Sequence, residues 1–359
     1  MKIVIAIDSF KGCLDSAGAG AAVAEGLAGH DCVVLPVSDG GEGFSVILTL
    51  ALGGTMVKAA VHDPLGRIIE ASYGLADRVA VIESAAASGL MLMKPEELNP
   101  LEASSFGTGE LIADAIRKGA REIYVGFGGT GTNDGGKGML DALEAVREMW
   151  PECRFTALCD VTATFCGPEG ATAVYGPQKG VTPDLVGPLD SRLRALAEQY
   201  RPVLGRDVLA QPGSGAAGGM AGALWAVPGA ELKPGADAVL DILHFEDHLS
   251  GASLVITGEG RIDAQTLQGK LPAVVARRSK AFSHTLPVIA LTGRNDLRIS
   301  EQNESSAQDE HHCTGVLPFD EIIQITPPRT PLETALDSSF ARSRLSVAAL
   351  SIAACFVKS

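Results

Sequence analysis

The residues of this chain best suited to chemistry sit on short glycine-bearing stretches, each directly behind an apolar run. Asp8-Ser9-Phe10-Lys11-Gly12 follows the run 2–7, and Ser38-Asp39-Gly40-Gly41-Glu42-Gly43 follows 32–37. Thr257-Gly258-Glu259-Gly260-Arg261-Ile262-Asp263 follows 252–256, and Thr292-Gly293-Arg294 follows 287–291. Several carboxylates with lysine and arginine on glycine loops suit an anionic ligand carrying a hard divalent cation, as a nucleoside triphosphate with magnesium does. Phosphoryl transfer is mainly positioning and charge neutralisation. Acids hold the metal, cations and backbone N–H groups hold phosphate oxygens, and a base assists the attacking hydroxyl. Any single Asp or Ser here is equally a helix N-cap. Taken together, the stretches ask for more than caps.

The densest stretch is Gly126-Phe127-Gly128-Gly129-Thr130-Gly131-Thr132-Asn133-Asp134-Gly135-Gly136-Lys137-Gly138, behind the apolar run 122–125. Consecutive glycines let main-chain N–H groups converge on an anion, so Gly128, Gly129, Thr132, Asn133 and Asp134 are binding candidates. Asn133 and Asp134 are expected to face the ligand. A tight strand-to-helix turn without a ligand is the plainer alternative. Lys179, like Lys11, lies between a turn and a glycine and is a candidate anion partner, as are Arg261 and Lys270. There is no G-x-x-x-x-G-K-[ST] loop and no protein-kinase signature, and Gly258-x-Gly260 lacks the full G-x-G-x-x-G spacing.

The elements that must position these residues read as α/β. The run 2–7 has the continuous apolar character of a strand buried on both faces, 16–27 reads as a helix, 32–37 as a strand and 44–52 as a helix. That βαβα order implies a parallel sheet with right-handed crossovers. From about Thr55 the pieces 56–62, 68–73 and 78–83 alternate and look antiparallel, with Asp63-Pro64-Leu65-Gly66 as a turn. After Pro234 the buried-strand pattern returns. The expectation is a discontinuous Rossmann-like parallel-sheet domain, 1–62 and 235–359, with an inserted α/β mixed-sheet domain, 63–234, and a cleft between them. Strand ends near Ile7, Val37, Ile256 and Leu291 should share one ligand-binding rim.

Composition narrows the class of function. A chain of 359 residues, 46% hydrophobic and 20% charged, suggests about two globular domains. No apolar run approaches the roughly 20 residues that span a bilayer, and the first residues resemble a signal peptide only in apolarity. A net charge of −14 opposes nucleic-acid binding, which needs clustered positive charge. The seven cysteines have no paired short spacings and read as reduced cytosolic thiols. His311 and His312 sit in a polar stretch, 298–314, that reads as an exposed loop rather than a metal site.

In this order the motifs resemble those of bacterial-type glycerate kinases. The resemblance covers nearly the whole chain. It rests on the stretches at 8–12, 38–43, 63–66, 105–110 and 128–136, on Tyr175-Gly176-Pro177-Gln178-Lys179-Gly180, on 213–219, and on 257–263 with Gln265, Thr266, Gly269 and Lys270. It implies a two-domain α/β kinase that transfers the ATP γ-phosphoryl group to the 2-hydroxyl of glycerate, with Mg2+, in a cytoplasmic monomer or homodimer. The alternatives are a non-catalytic sensor of sugar acid or nucleotide and a kinase for another small hydroxy acid.

The carboxylates Asp8, Asp39, Glu259 and Asp263 should include both the magnesium ligands and the base. Asp8, Lys11, Asp39 and Asp263 are taken as catalytic, and Asp39, Glu42 and Glu259 as metal ligands. Ser9, Gly258, Glu259, Arg261 and Lys270 join the glycine-loop residues and Lys179 in binding ATP. The chain departs from the family pattern in three places. The segment 139–159 is shorter by very roughly 30 residues, a length that would normally hold further structure. Thr162-Ala163-Thr164-Phe165 follows Asp160-Val161 where the family has an Asn-Pro-Leu-like turn. Residues 295–314 look like an added polar loop.

Overall fold

The computed structural model describes residues 1–356 apart from 11, 42, 268 and 298–316. Lys11, Glu42, His311, His312, Cys313 and nearly all of the added polar loop therefore lie outside the described residues. The chain is an α/β protein of two compact units, one formed by Met1–Asp39 with Val239–Ser359 and the other by Gly40–Ala238.

The first unit holds a five-stranded sheet of β1 (Lys2–Ile7), β2 (Asp31–Val34), β9 (Ala252–Ile262), β10 (Val288–Asn295) and β11 (Glu321–Gln324). Every pairing is parallel, and the order is β11-β10-β9-β1-β2. Successive side chains of β1 point to opposite faces, so a strand covered on both sides must be apolar throughout. Ile3, Ile5 and Ile7 pack with Ala19, Ala22 and Val23 of the helix Ser16–Gly26 and with Leu345, Ala349 and Ile352 of the helix Ser338–Phe356. Val4 and Ala6 are equally buried. Within this unit the chain leaves β1 for β2 on one side and returns beside β1 as β9 on the other. Such a reversal opens a crevice at the carboxyl ends of the two central strands.

The second unit holds a six-stranded sheet of β3 (Thr55–His62), β4 (Ile68–Ala76), β5 (Val79–Glu83), β6 (Glu122–Gly126), β7 (Arg154–Leu158) and β8 (Glu231–Lys233), in that spatial order. The first two pairings are antiparallel and the remaining three parallel. The hydropathy pattern puts residues 40–62 with the parallel-sheet domain. They lie instead in the second unit, because β3 pairs with β4 from Thr55 to His62. The short segment after Met139 is bridged compactly. The helix Lys137–Leu143 runs into a kinked helical turn, Glu144–Glu152, whose Trp150 is buried and donates to the Leu143 carbonyl at 3.3 Å. Pro151 lies inside that turn, which ends at Glu152 before the strand Arg154–Leu158 begins.

Two further expectations change. Residues 257–262 read as a loop because of their glycines, yet they continue β9, paired with β10 as far as Ile262. The second strand stops at Val34 rather than Val37. Cys13, Cys32, Cys153, Cys159 and Cys166 are free thiols. Among the described residues no helix is long and apolar enough to cross a membrane.

Candidate active site

A cleft of about 980 Å³ opens within the first unit at the carboxyl ends of its strands. Asp8, Ser9, Asp39, Glu259, Arg261, Asp263 and Lys270 all line it. The sheet register brings them there. Ile7 lies beside Gly258, the Asp8 amide donates to the Gly258 carbonyl at 2.9 Å, and Thr292 lies beside Glu259. Gly258, expected to touch the ligand, has a packing reason to be glycine. A Cβ there would come within 2.0 Å of the Leu291 carbonyl oxygen, so any side chain would push β9 from β10.

Asp8 is buried, and its carboxylate accepts from the Ser9 amide at 2.7 Å. Glu259 accepts from the Thr266 hydroxyl at 2.6 Å. Burial pushes the Glu259 carboxyl above its ordinary pKa. The Thr266 bond and the Lys270 charge oppose the rise, and Asp263 and Asp39 add to it. Asp263 caps the short helix Ala264–Leu267, accepting from the Gln265 amide at 2.9 Å, and stands 3.6 Å from the Lys270 ammonium. Arg261 Nε lies 3.7 Å from Asp263 and 2.7 Å from Asp296, which also pairs with Arg294 at 2.7 Å.

The cations are thus held along one edge of the cleft by carboxylates. Asp296 was not legible beforehand, since an acid two residues past a strand arginine has no motif. The pairing of Arg261 beside Arg294 on neighbouring strands is what calls for it.

Of the expected metal set, Asp39 and Glu259 line the cleft, and Glu42 lies outside the described residues. Magnesium fits this cleft. It keeps several waters and takes one or two carboxylates plus phosphate oxygens. Asp8, Asp39 and Glu259 supply hard oxygen donors for that, and Asp39 is near enough to Glu259 to raise its pKa.

The remaining candidates are in the second unit. Gly128 and Gly129 form the more accessible tip of the glycine loop, and no hydrogen bond occupies their amides among the described residues. The rest of the loop is interior. A Cβ on Gly126 would meet the Gly40 carbonyl oxygen at 2.3 Å, so glycine there serves close packing of two backbones. Asp134 is buried rather than facing outward. Its carboxylate accepts from the Ser105 amide and hydroxyl at 2.8 Å each, from Gly136 N at 3.0 Å and from Gly138 N at 3.2 Å. Asn133 donates to the Thr172 hydroxyl at 2.9 Å. Lys179 is also buried, donates to the Thr132 carbonyl at 2.7 Å, and has its pKa pulled down to about 8 by burial.

An open parallel sheet with acids and bases at the carboxyl ends of its strands, in a chain with a second mixed-sheet unit, belongs to the small-molecule-binding α/β proteins. The family model described as "Glycerate kinase family" matches residues 3–148 and 143–356, two segments that meet in the shortened stretch. A glycerate kinase of Haemophilus influenzae is 42% identical over 82% of this chain and 86% of its own length. A glycerate 2-kinase of Escherichia coli is 40% identical over 82% of this chain and 85% of its own. A crystal structure of a Salmonella typhimurium protein described as a glycerate kinase 2 superposes with a TM-score of 0.84 at 37% identity, covering 100% of this chain and 98% of that one. The chain belongs to the glycerate kinase family, and it is a kinase.

Proposed function

We propose that this chain transfers the γ-phosphoryl group of ATP to the 2-hydroxyl of glycerate, giving 2-phosphoglycerate and ADP, as a cytoplasmic enzyme. The observation that carries this reading is the gathering of Asp8, Asp39, Glu259, Asp263, Arg261 and Lys270 in one cleft. A three-carbon acid and a triphosphate are both anionic, so their transfer chemistry needs this mixture of cations and metal-binding acids. The 2-position follows the name of the Escherichia coli relative.

Roles follow from environment. Glu259, whose buried carboxyl holds a proton more readily than usual, is suited to accept the proton of the attacking hydroxyl. Asp8 and Asp39 are suited to hold Mg2+, which when bound neutralises charge on the phosphate oxygens. Lys270 and Arg261 face the anion, and Asp263 holds Lys270 in place. Gly128 and Gly129 are the second unit's own candidate for an anion, through their free amides.

Phosphorus NMR of the reaction with ATP, Mg2+ and D-glycerate tests the whole reading in one measurement. The expected spectrum shows ADP and a phosphomonoester on carbon 2. A 3-phosphate product would overturn the regiochemistry. ATP binding without any turnover would leave a sensor instead of an enzyme.

A further inference from the structure

The cleft of the first unit has two chemically different halves. The charged candidates stand at the carboxyl ends of β1, β2 and β9, while the segment after β11 lines the far half with Ile325, Pro327, Pro328, Leu332, Ala335 and Leu336 beside Thr326, Arg329 and Thr330. Glycerate has almost no apolar surface to place there. We infer that the purine ring of the phosphoryl donor seats in this far half, against Phe10, Ile325, Pro327, Leu332 and Leu336, with its phosphates running toward Lys270 and Arg261.

Phe10 and Ile325 are buried in the core of the unit and form the floor of this half, and Leu332 and Leu336 rise from it into the open. Leu332 is 72% exposed and Leu336 43%; they are the first residue and the C-cap of the short helix Leu332–Ala335, and both line the cleft. Apolar side chains held open along a cleft fit a flat heteroaromatic ring better than water. The turn beneath them is stiff. The Thr330 amide and hydroxyl both donate to the Pro327 carbonyl, at 3.3 and 2.8 Å, and Pro327 and Pro328 each have a fixed φ. The Ile325 amide donates to the Thr292 carbonyl at 2.8 Å, which ties the wall to β10 beside Glu259.

Arg329 and Thr326 on the same turn also line the cleft. Neither proline carries an N–H, and the Gln324 side chain is occupied by the Asn295 amide at 3.0 Å and the Thr326 carbonyl at 2.8 Å. The apolar side chains hold the ring by its faces, and Arg329 on the same turn offers its guanidinium donors to a base edge.

The inference rests on the reading of ATP as donor, and the test separates the two. Leu332→Glu and Leu336→Glu change exposed side chains, so both variants should fold, as circular dichroism and melting will verify. Calorimetry with ATP should show affinity reduced by about tenfold or more, from lost apolar contact with the ring. Inorganic tripolyphosphate, which has no base, should bind wild type and variants within about twofold of one another. Photolabelling of the full-length protein with 8-azido-ATP, followed by peptide mapping, should mark residues 325–337 or 10–13.

Unchanged ATP affinity in both variants, an equal loss for tripolyphosphate, or label confined to 126–138 would overturn the inference, as would the absence of ATP binding by the wild type. If wild-type protein binds and is labelled as expected but releases no ADP with glycerate, only the acceptor assignment fails. Turnover of glycerate with label elsewhere leaves the kinase reading standing and removes this one.

Discussion

The Lys179 ammonium donates to the main-chain carbonyl of Thr132 at 2.7 Å inside the second unit, with both residues buried. Burial lowers the Lys179 pKa to about 8, and the Asp134 charge only partly opposes this. The unfolded chain, with an ordinary lysine, binds more protons than the folded one between about pH 8 and 10.5, so stability should rise across that window. Below pH 8 both states are protonated and the cost of burying the charge is constant. In Lys179→Met that increment, roughly 3 kcal/mol, should disappear. Chemical denaturation of both proteins from pH 7 to 10.5 checks it, since other titrating groups cancel in the difference.

Asp134 organises the glycine loop through four accepted hydrogen bonds. Asp134→Ala leaves the amides of Ser105, Gly136 and Gly138 and the Ser105 hydroxyl without their acceptor in a buried site, at a cost of about 3 kcal/mol or more. A fall in melting temperature with unaltered ATP affinity of the surviving folded protein is the expected outcome. A loss of ATP affinity without loss of stability would return Asp134 to the ligand.

If Glu259 takes the hydroxyl proton, the acid limb of the kcat/KM profile should lie above the range of an ordinary glutamate, because burial raises its pKa. Activity should fall as pH drops through that raised value. Glu259→Gln should abolish the limb and lower kcat by about 10²- to 10⁴-fold. A retained limb in the variant assigns the base elsewhere.

Asp39 lies on the rim within reach of the Glu259 charge. Asp39→Asn should raise the Mg2+ concentration for half-maximal rate by about tenfold and lower kcat, because a formal charge on the metal is lost. A magnesium titration at saturating ATP measures this directly. An unshifted midpoint with near-full turnover removes Asp39 from the metal site and from the mechanism.

The strands at 2–7 and 122–125 were legible because a sheet covered on both faces demands apolar runs, and the second proves one residue longer, ending at Gly126. The far end of β9 was not. Its Gly258-Glu259-Gly260-Arg261 has poor strand propensity, and only pairing with β10 makes it extended. The placing of residues 40–62 failed for a related reason, since strand partners are chosen across the chain and β3 finds β4. Neither β11 nor the long helix Ser338–Phe356 had a signal strong enough to read.

The sequence by itself determined which chemistry this protein holds: the carboxylates, cations and glycines behind buried strands. The tertiary structure alone decided which of them work together. The reversal of strand order at β1 brings Asp8 to Glu259 and places Leu332 and Leu336 across the same cleft. Packing turns Asp134 and Lys179 inward to hold a loop. Residue type sets what a side chain can do, but burial and direction depend on contacts between segments hundreds of residues apart, which local sequence does not encode.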